Sequence, residues 1–96
     1  DSPENILANK VTALIDRDEP RDIADVWGLC TRMGLSLQTA ITDAMSKAAG
    51  QHPADVARRL CQVTLQDWQD VMWVDPPDPT QYLTEVIQLG ESLILV

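Results

Sequence analysis

KVTALIDRDEPRDIAD, residues 10–25, reads as the end of one amphipathic helix, a two-residue turn and the start of another. A helix over about residues 4–17, turning about 100° per residue, puts Lys10 between Ile6 and Leu14 and sets Arg17 almost along the axis from Lys10. Two cations therefore share an apolar stripe. Pro20 starts the second helix, because its fixed φ suits a first helical position and it disfavours helix at Glu19. Asp22 and Asp25 then fall on one edge of the helix start, next to the face formed by Ile23, Val26, Cys30 and Met33. With only Asp18 and Glu19 between them, the helices pack as neighbours, and Lys10, Arg17, Arg21, Asp22 and Asp25 can converge.

Two readings of that cluster stand side by side. In one it is a polar site at a helix junction. In the other, Lys and Arg lay their carbon stems along an apolar face with their charges in water, and the first-turn Asp answers only the helix dipole.

Outward from the turn, the chain reads as helix throughout. Ser2-Pro3-Glu4 supplies a cap, a first-position proline and an early carboxylate for the first helix, which carries Ile6, Leu7, Val11, Leu14 and Ile15. The second helix, about residues 20–33, ends at Gly34, a natural left-handed cap. Gly28, mid-helix, costs about 1 kcal/mol relative to Ala and is expected to permit a close helix crossing. Ser36 caps a third helix with Leu37, Ala40, Ile41, Ala44 and Ala48 at helical spacing, closed by Gly50; Asp43 and Lys47 make an exposed pair on it. Pro53 opens a fourth, with Val56, Ala57, Leu60 and Cys61 inward and His52 as a capping or loop residue. Arg58 and Arg59, after Asp55, read as a solvated pair or as phosphate contacts. Thr64 with Asp67 forms a capping box for a short fifth helix through Trp68, and Asp78-Pro79 restarts the chain as a sixth with Tyr82, Leu83, Val86, Ile87, Gly90, Leu93 and Ile94 on one stripe. No alternating run asks to be a strand. The fold class is all-α, a compact bundle of about five or six short helices forming a single domain over residues 1–96.

Composition narrows the function. A net charge of −8 argues against the chain itself being a nucleic-acid surface, because phosphate backbones need clustered Lys and Arg to displace counterions. Trp27 accordingly reads as a residue sealing the core at its rim rather than one stacking on a base, Trp68 as core, and Trp73 as folded over the Pro-rich turn or left as an exposed contact. Cys30 and Cys61, the two cysteines, fall on apolar helix faces and read as free, mostly buried thiols. No Cys/His spacing suggests zinc, no metal ligand set is assigned, and no apolar run is long enough to span a membrane, so the compartment expected is the cytoplasm.

Written as Lys, six residues, Arg, three residues, Arg-Asp, two residues, Asp, the opening stretch resembles the region after the catalytic core in AbiEii/AbiGii-type nucleotidyltransferase-like proteins. Lys10, Ala13, Leu14, Arg17, Arg21, Asp22 and Asp25 carry the match, which is sharpest over residues 5–29, and the Gly-Leu-Ser at 34–36 with its Ala-rich helix is similar to the same family continuing. The resemblance implies that Lys10 and Asp22 are catalytic, Lys10 at a nucleotide or substrate phosphate and Asp22 as a catalytic or orienting carboxylate. It implies that Arg17, Arg21 and Asp25 belong to the substrate-binding set, Arg17 and Arg21 as phosphate contacts or as partners of Asp25. Members of the family carry a Gly-Ser nucleotide loop and an Asp-X-Asp metal pair in an N-terminal core. This sequence has no Gly-Ser pair, and its one Asp-X-Asp, Asp16 and Asp18, falls at a helix end. The expectation is therefore a C-terminal helical piece of a longer protein, inactive alone, which completes a site whose Mg²⁺ and nucleoside triphosphate come with that core. Its expected partners are its own N-terminal catalytic core and an antitoxin-like protein. The alternative is a helical interaction or scaffold module without a catalytic role, using the acidic surface, Trp27, Trp73 and the apolar end Leu93 to Val96.

Overall fold

The computed structural model describes residues 2–47 and 53–94. Among them run α1 (Pro3–Arg17), α2 (Pro20–Thr31), α3 (Leu37–Lys47), α4 (Pro53–Cys61), α5 (Leu65–Asp70) and α6 (Pro79–Glu91), with no strand. The expected all-α bundle is the fold observed. Ala48, Gly50, His52, the side chain of Lys47 and the last two apolar residues lie outside the described residues, and with them the readings made on those positions.

Local chemistry sets the helix starts. Ser2 accepts from the Asn5 N–H ahead of Pro3, Asp78 accepts from the Gln81 N–H ahead of Pro79, and Thr64 and Asp67 complete a reciprocal capping box. Each such cap satisfies backbone donors that have no partner inside the helix, worth about 1 kcal/mol. Gly34, at φ 69°, closes the segment after α2 in a left-handed conformation, and the Leu35 N–H reaches back 3.2 Å to the Leu29 carbonyl. At the end of α1 the left-handed residue is not glycine: Asp18 has φ 53° and ψ 46°, and its N–H donates to the Leu14 carbonyl. Aspartate tolerates that conformation better than most L-residues, at a cost glycine would not carry.

α1 packs against α2 and α3, α4 packs against α6, and contacts of α1 with α4 and α2 with α6 close the circuit; α5 wedges between α2 and α6. Leu7, Val11 and Leu14 of α1 meet Ile23 and Val26 of α2, Ile41 of α3, Leu60 of α4 and Val86 of α6 in one core. Fully burying each large aliphatic side chain removes apolar surface worth about 2 kcal/mol.

The close helix crossing is at Gly90, not Gly28. A Cβ on Gly90 would stand 2.8 Å from Cys61 Sγ, 3.0 Å from the Ala57 carbonyl oxygen and 3.1 Å from Leu60 Cβ, whereas a Cβ on Gly28 would meet nothing within 4 Å. Gly28 instead lines an open groove between α2 and the segment 71–74. The face away from Val26 and Cys30 has no helix to cross.

The tryptophans also settle differently from one another. Trp27 is part of the core itself rather than its rim, and Trp73, following α5, folds back so that Trp27, Trp73 and Tyr82 form three mutual edge-to-face pairs at 5.2–6.0 Å. Their indole N–H groups are anchored: Trp27 to Glu85 Oε1 at 3.1 Å and Trp73 to the Trp68 carbonyl at 2.8 Å. Trp68, read as core, is half-buried, its N–H donating to the Pro77 carbonyl at 3.1 Å. Both cysteines are free and mostly buried, as the sequence led us to expect. Burial pushes the Cys30 thiol up from 9.0 to about 11.

Candidate functional site

The corner between α1 and α2 brings together four of the five residues singled out in the sequence, in two pairs. Lys10, about two turns before the end of α1, places Nζ 2.8 Å from Asp25 Oδ2 on α2. Arg17, the last residue of α1, crosses the turn to donate from Nη2 to Asp22 Oδ1 at 2.7 Å. Arg21 points elsewhere, to Glu19 at 2.8 Å, and both of those side chains are well exposed. Helical periodicity puts Asp22 and Asp25, three residues apart, on one face of α2 and Lys10 and Arg17, seven apart, on one face of α1, and the angle between the helices decides which meets which.

The two cross-helix pairs differ in environment. Asp25 and Lys10 are both partly in water. The Asp22 side chain is 0% exposed, its Oδ1 takes the Arg17 guanidinium, and its Oδ2 has no hydrogen-bond partner among the described residues. A buried carboxylate holds its charge only beside a compensating cation, so Asp22 depends on Arg17, whose side chain remains 43% exposed and open to an incoming anion. An Arg held by a carboxylate on one edge keeps other N–H donors free for a phosphate.

A fourth cation was not among the candidates for catalysis. Arg59 of α4 donates from Nε to Asp18 Oδ1 and from Nη2 to Asp67 Oδ1, the latter at 3.3 Å, and its side chain is 19% exposed. Burial works against its charge, but hydrogen bonds to Asp18 and Asp67 and their negative charge outweigh it and hold the guanidinium above its ordinary value. The sequence carried one signal for it, the spacing that turns Arg58 outward to Asp55 and Arg59 toward the bundle. Tyr82, also fully buried, has a hydroxyl with no hydrogen-bond partner among the described residues, and burial first, then the charge of Asp67, raises its pKa well above the usual tyrosine range.

A divalent metal needs several oxygen ligands at one point. Among the described residues no three His, Cys, Asp or Glu side chains converge on such a point, and the one free oxygen of Asp22 is a single ligand, so this corner does not fit a metal site by itself. No described helix is long and apolar enough to cross a membrane.

Comparison with curated proteins and with solved structures finds no match in either. A protein-family comparison matches residues 1–89 to the family described as nucleotidyl transferase AbiEii toxin, Type IV TA system. That match takes in α1 to α5, α6 as far as Leu89 and the whole of the α1 to α2 corner, and the chain belongs to the AbiEii nucleotidyltransferase toxin family.

Proposed function

We propose that this chain is the helical part of a nucleotidyltransferase-like toxin, in which the α1 to α2 corner completes a nucleotide or phosphate site. The observation that supports this reading best is the buried Asp22 carboxylate holding a half-exposed Arg17 next to the Lys10 and Asp25 pair. Lys10 offsets charge on the transferring phosphoryl group by exchanging Asp25 for a phosphate oxygen. Asp22, shielded from solvent, orients the Arg17 guanidinium toward substrate, and Arg21 adds a second, exposed phosphate contact. Asp25 keeps Lys10 placed when substrate is absent. Metal-binding carboxylates and the nucleotide loop belong to a catalytic core of the same protein, and the corner supplies only cations and an orienting carboxylate. The partners under this reading are that core and an antitoxin-like protein, in the cytoplasm.

The test is transfer from labelled nucleoside triphosphates with Mg²⁺, using the full-length protein and cell RNA or protein as acceptors. Lys10→Ala and Asp22→Asn variants, shown by circular dichroism to be folded, are expected to lose about 100-fold or more in rate. Transfer that persists in both folded variants, or no transfer by the unaltered protein, overturns the reading.

A second reading has its own support. Met72 and Val74 are almost wholly exposed and stand with Met33 along the groove beside Gly28, a surface that suits an interaction module. Trp27 and Trp73 do not serve that surface as exposed anchors, because one is buried and the other half-buried.

A further inference from the structure

The α1 to α2 corner is held from outside. Asp18 occupies the first position of the turn in a left-handed conformation, and its neighbour Arg17 is the residue that carries the pairing to Asp22. The Asp18 carboxylate accepts from Arg59, 41 residues further along the chain, and the same guanidinium reaches Asp67, whose other oxygen accepts the Thr64 N–H in the α5 capping box. One side chain from α4 thus joins the α1 to α2 turn to the start of α5. A surface ion pair would hold nothing, because long side chains in water lose as much in entropy as they gain in attraction. Arg59 differs: its side chain is 19% exposed, it binds two carboxylates through separate nitrogens, and Asp67, 14% exposed, fixes the guanidinium that the 61% exposed Asp18 carboxylate then meets.

We infer that Arg59 is the positioning residue of the α1 to α2 site: by fixing Asp18 it sets the angle at which Arg17 leaves α1, and so the placement of the Arg17 and Asp22 pair. This rests on the reading that Arg17 and Asp22 act on phosphate. Arg59 faces Asp18 and Asp67 rather than the Lys10 and Asp25 pair, so it acts through the turn and not on substrate.

The test compares the full-length protein with its Arg59→Gln, Arg59→Lys, Asp18→Asn and double Arg59→Gln/Asp18→Asn variants. Asparagine keeps the tolerance for a left-handed backbone and removes the charge, so Asp18→Asn tests the tie even where Arg59→Gln does not fold. In nucleotide transfer, Arg59→Gln is expected to lower kcat about tenfold with KM for the nucleotide within about twofold, because a displaced Arg17 reduces stabilisation of the transition state more than ground-state binding. Arg59→Lys recovers part of kcat, and the double variant loses no more than Arg59→Gln alone, as members of one tie must. Unchanged kcat in Arg59→Gln and Asp18→Asn, or losses that multiply in the double variant, overturns the inference. Where the unaltered protein transfers nothing, the functional reading falls while the tie is still judged by NMR. Exchange of the Arg17 guanidinium protons is then expected to rise about tenfold in Asp18→Asn, with the backbone amides of α4 and α6 unaffected. Arg17 exchange that does not change overturns it.

Discussion

Arg17 and Asp22 meet at 2.7 Å across a two-residue turn, the carboxylate wholly buried and the guanidinium half in water. The neighbouring pair, Lys10 and Asp25, has almost the same length, 2.8 Å, with both members partly solvated. Distance alone would rank them equal; burial does not.

Removing the cation from each pair is therefore expected to have unequal effects. Arg17→Ala leaves an uncompensated buried carboxylate and should destabilise the fold by about 2 to 3 kcal/mol, somewhat below the loss for a pair with both members buried. Lys10→Ala should cost less than about 1 kcal/mol, and its effect should fade in 1 M salt. Urea denaturation of both variants at low and high salt makes the comparison, and equal losses would contradict the burial argument.

The two helical glycines give an opposed pair of predictions. Gly28→Ala adds a methyl group into open space and replaces a poor helix former, so it should stabilise by about 0.5 to 1 kcal/mol. Gly90→Ala pushes a methyl into Cys61, Leu60 and the Ala57 carbonyl, which can yield only by moving α4 and α6 apart, and should destabilise by about 1 to 3 kcal/mol. Thermal melts that shift the same way for both would refute the assignment of the close crossing.

Cys30 gives the chain an alkaline dependence. Its thiol is raised in the folded state from 9.0 to about 11, so the folded protein holds a proton that the unfolded chain gives up first. Its stabilising contribution is whole below pH 9 and declines as pH rises toward 11. A Cys30→Ala variant, compared with the unaltered protein by urea denaturation at pH 8 and pH 10.5, should lose less stability over that interval. At pH 8 the Cys30 thiolate is scarcer than that of an ordinary thiol by about 100-fold, and alkylation with iodoacetamide should slow accordingly.

The aromatic cluster should be detectable optically. Trp27, Trp73 and Tyr82 hold one another edge to face, and Trp73 reaches them from a segment without helix. Trp73→Ala is expected to cost about 3 kcal/mol and to remove most of the near-ultraviolet circular dichroism while leaving the helical far-ultraviolet signal in place. A far-ultraviolet loss of equal size would show instead that Trp73 is needed for the helices themselves.

The helix starts could be read from the chain because their causes are local. Ser2 with Pro3, Pro20, Thr64 with Asp67 and Asp78 with Pro79 each act within three residues, and each stands where its chemistry put it. The α1 to α2 corner was legible for the same reason, down to Lys10, Arg17, Asp22 and Asp25 facing one another. Which cation would take which carboxylate was not, because that follows from the angle between the helices. Gly90 stood on the apolar stripe of the sixth helix and Gly28 off the apolar face of the second, but that α4 comes close enough to Gly90 to exclude a Cβ was not written in either helix. Arg59 lay beyond local reasoning altogether: its partner Asp18 is 41 residues away, and nothing in the Asp55-Arg58-Arg59 spacing names it.

The anchoring of Trp27 bears on how the protein is made. Its ring packs on Tyr82 and its N–H is held by Glu85, 58 residues later, while α1 and α2 need only their own turn to meet. During synthesis the first helical hairpin can therefore assemble as soon as it leaves the ribosome, but with the apolar side of α2 bare. That side is covered only once α5, Trp73 and α6 have followed it out, with Tyr82 and Glu85 of α6 the last to close on Trp27. A pause in translation before residue 79 would hold the nascent chain at its most adhesive stage.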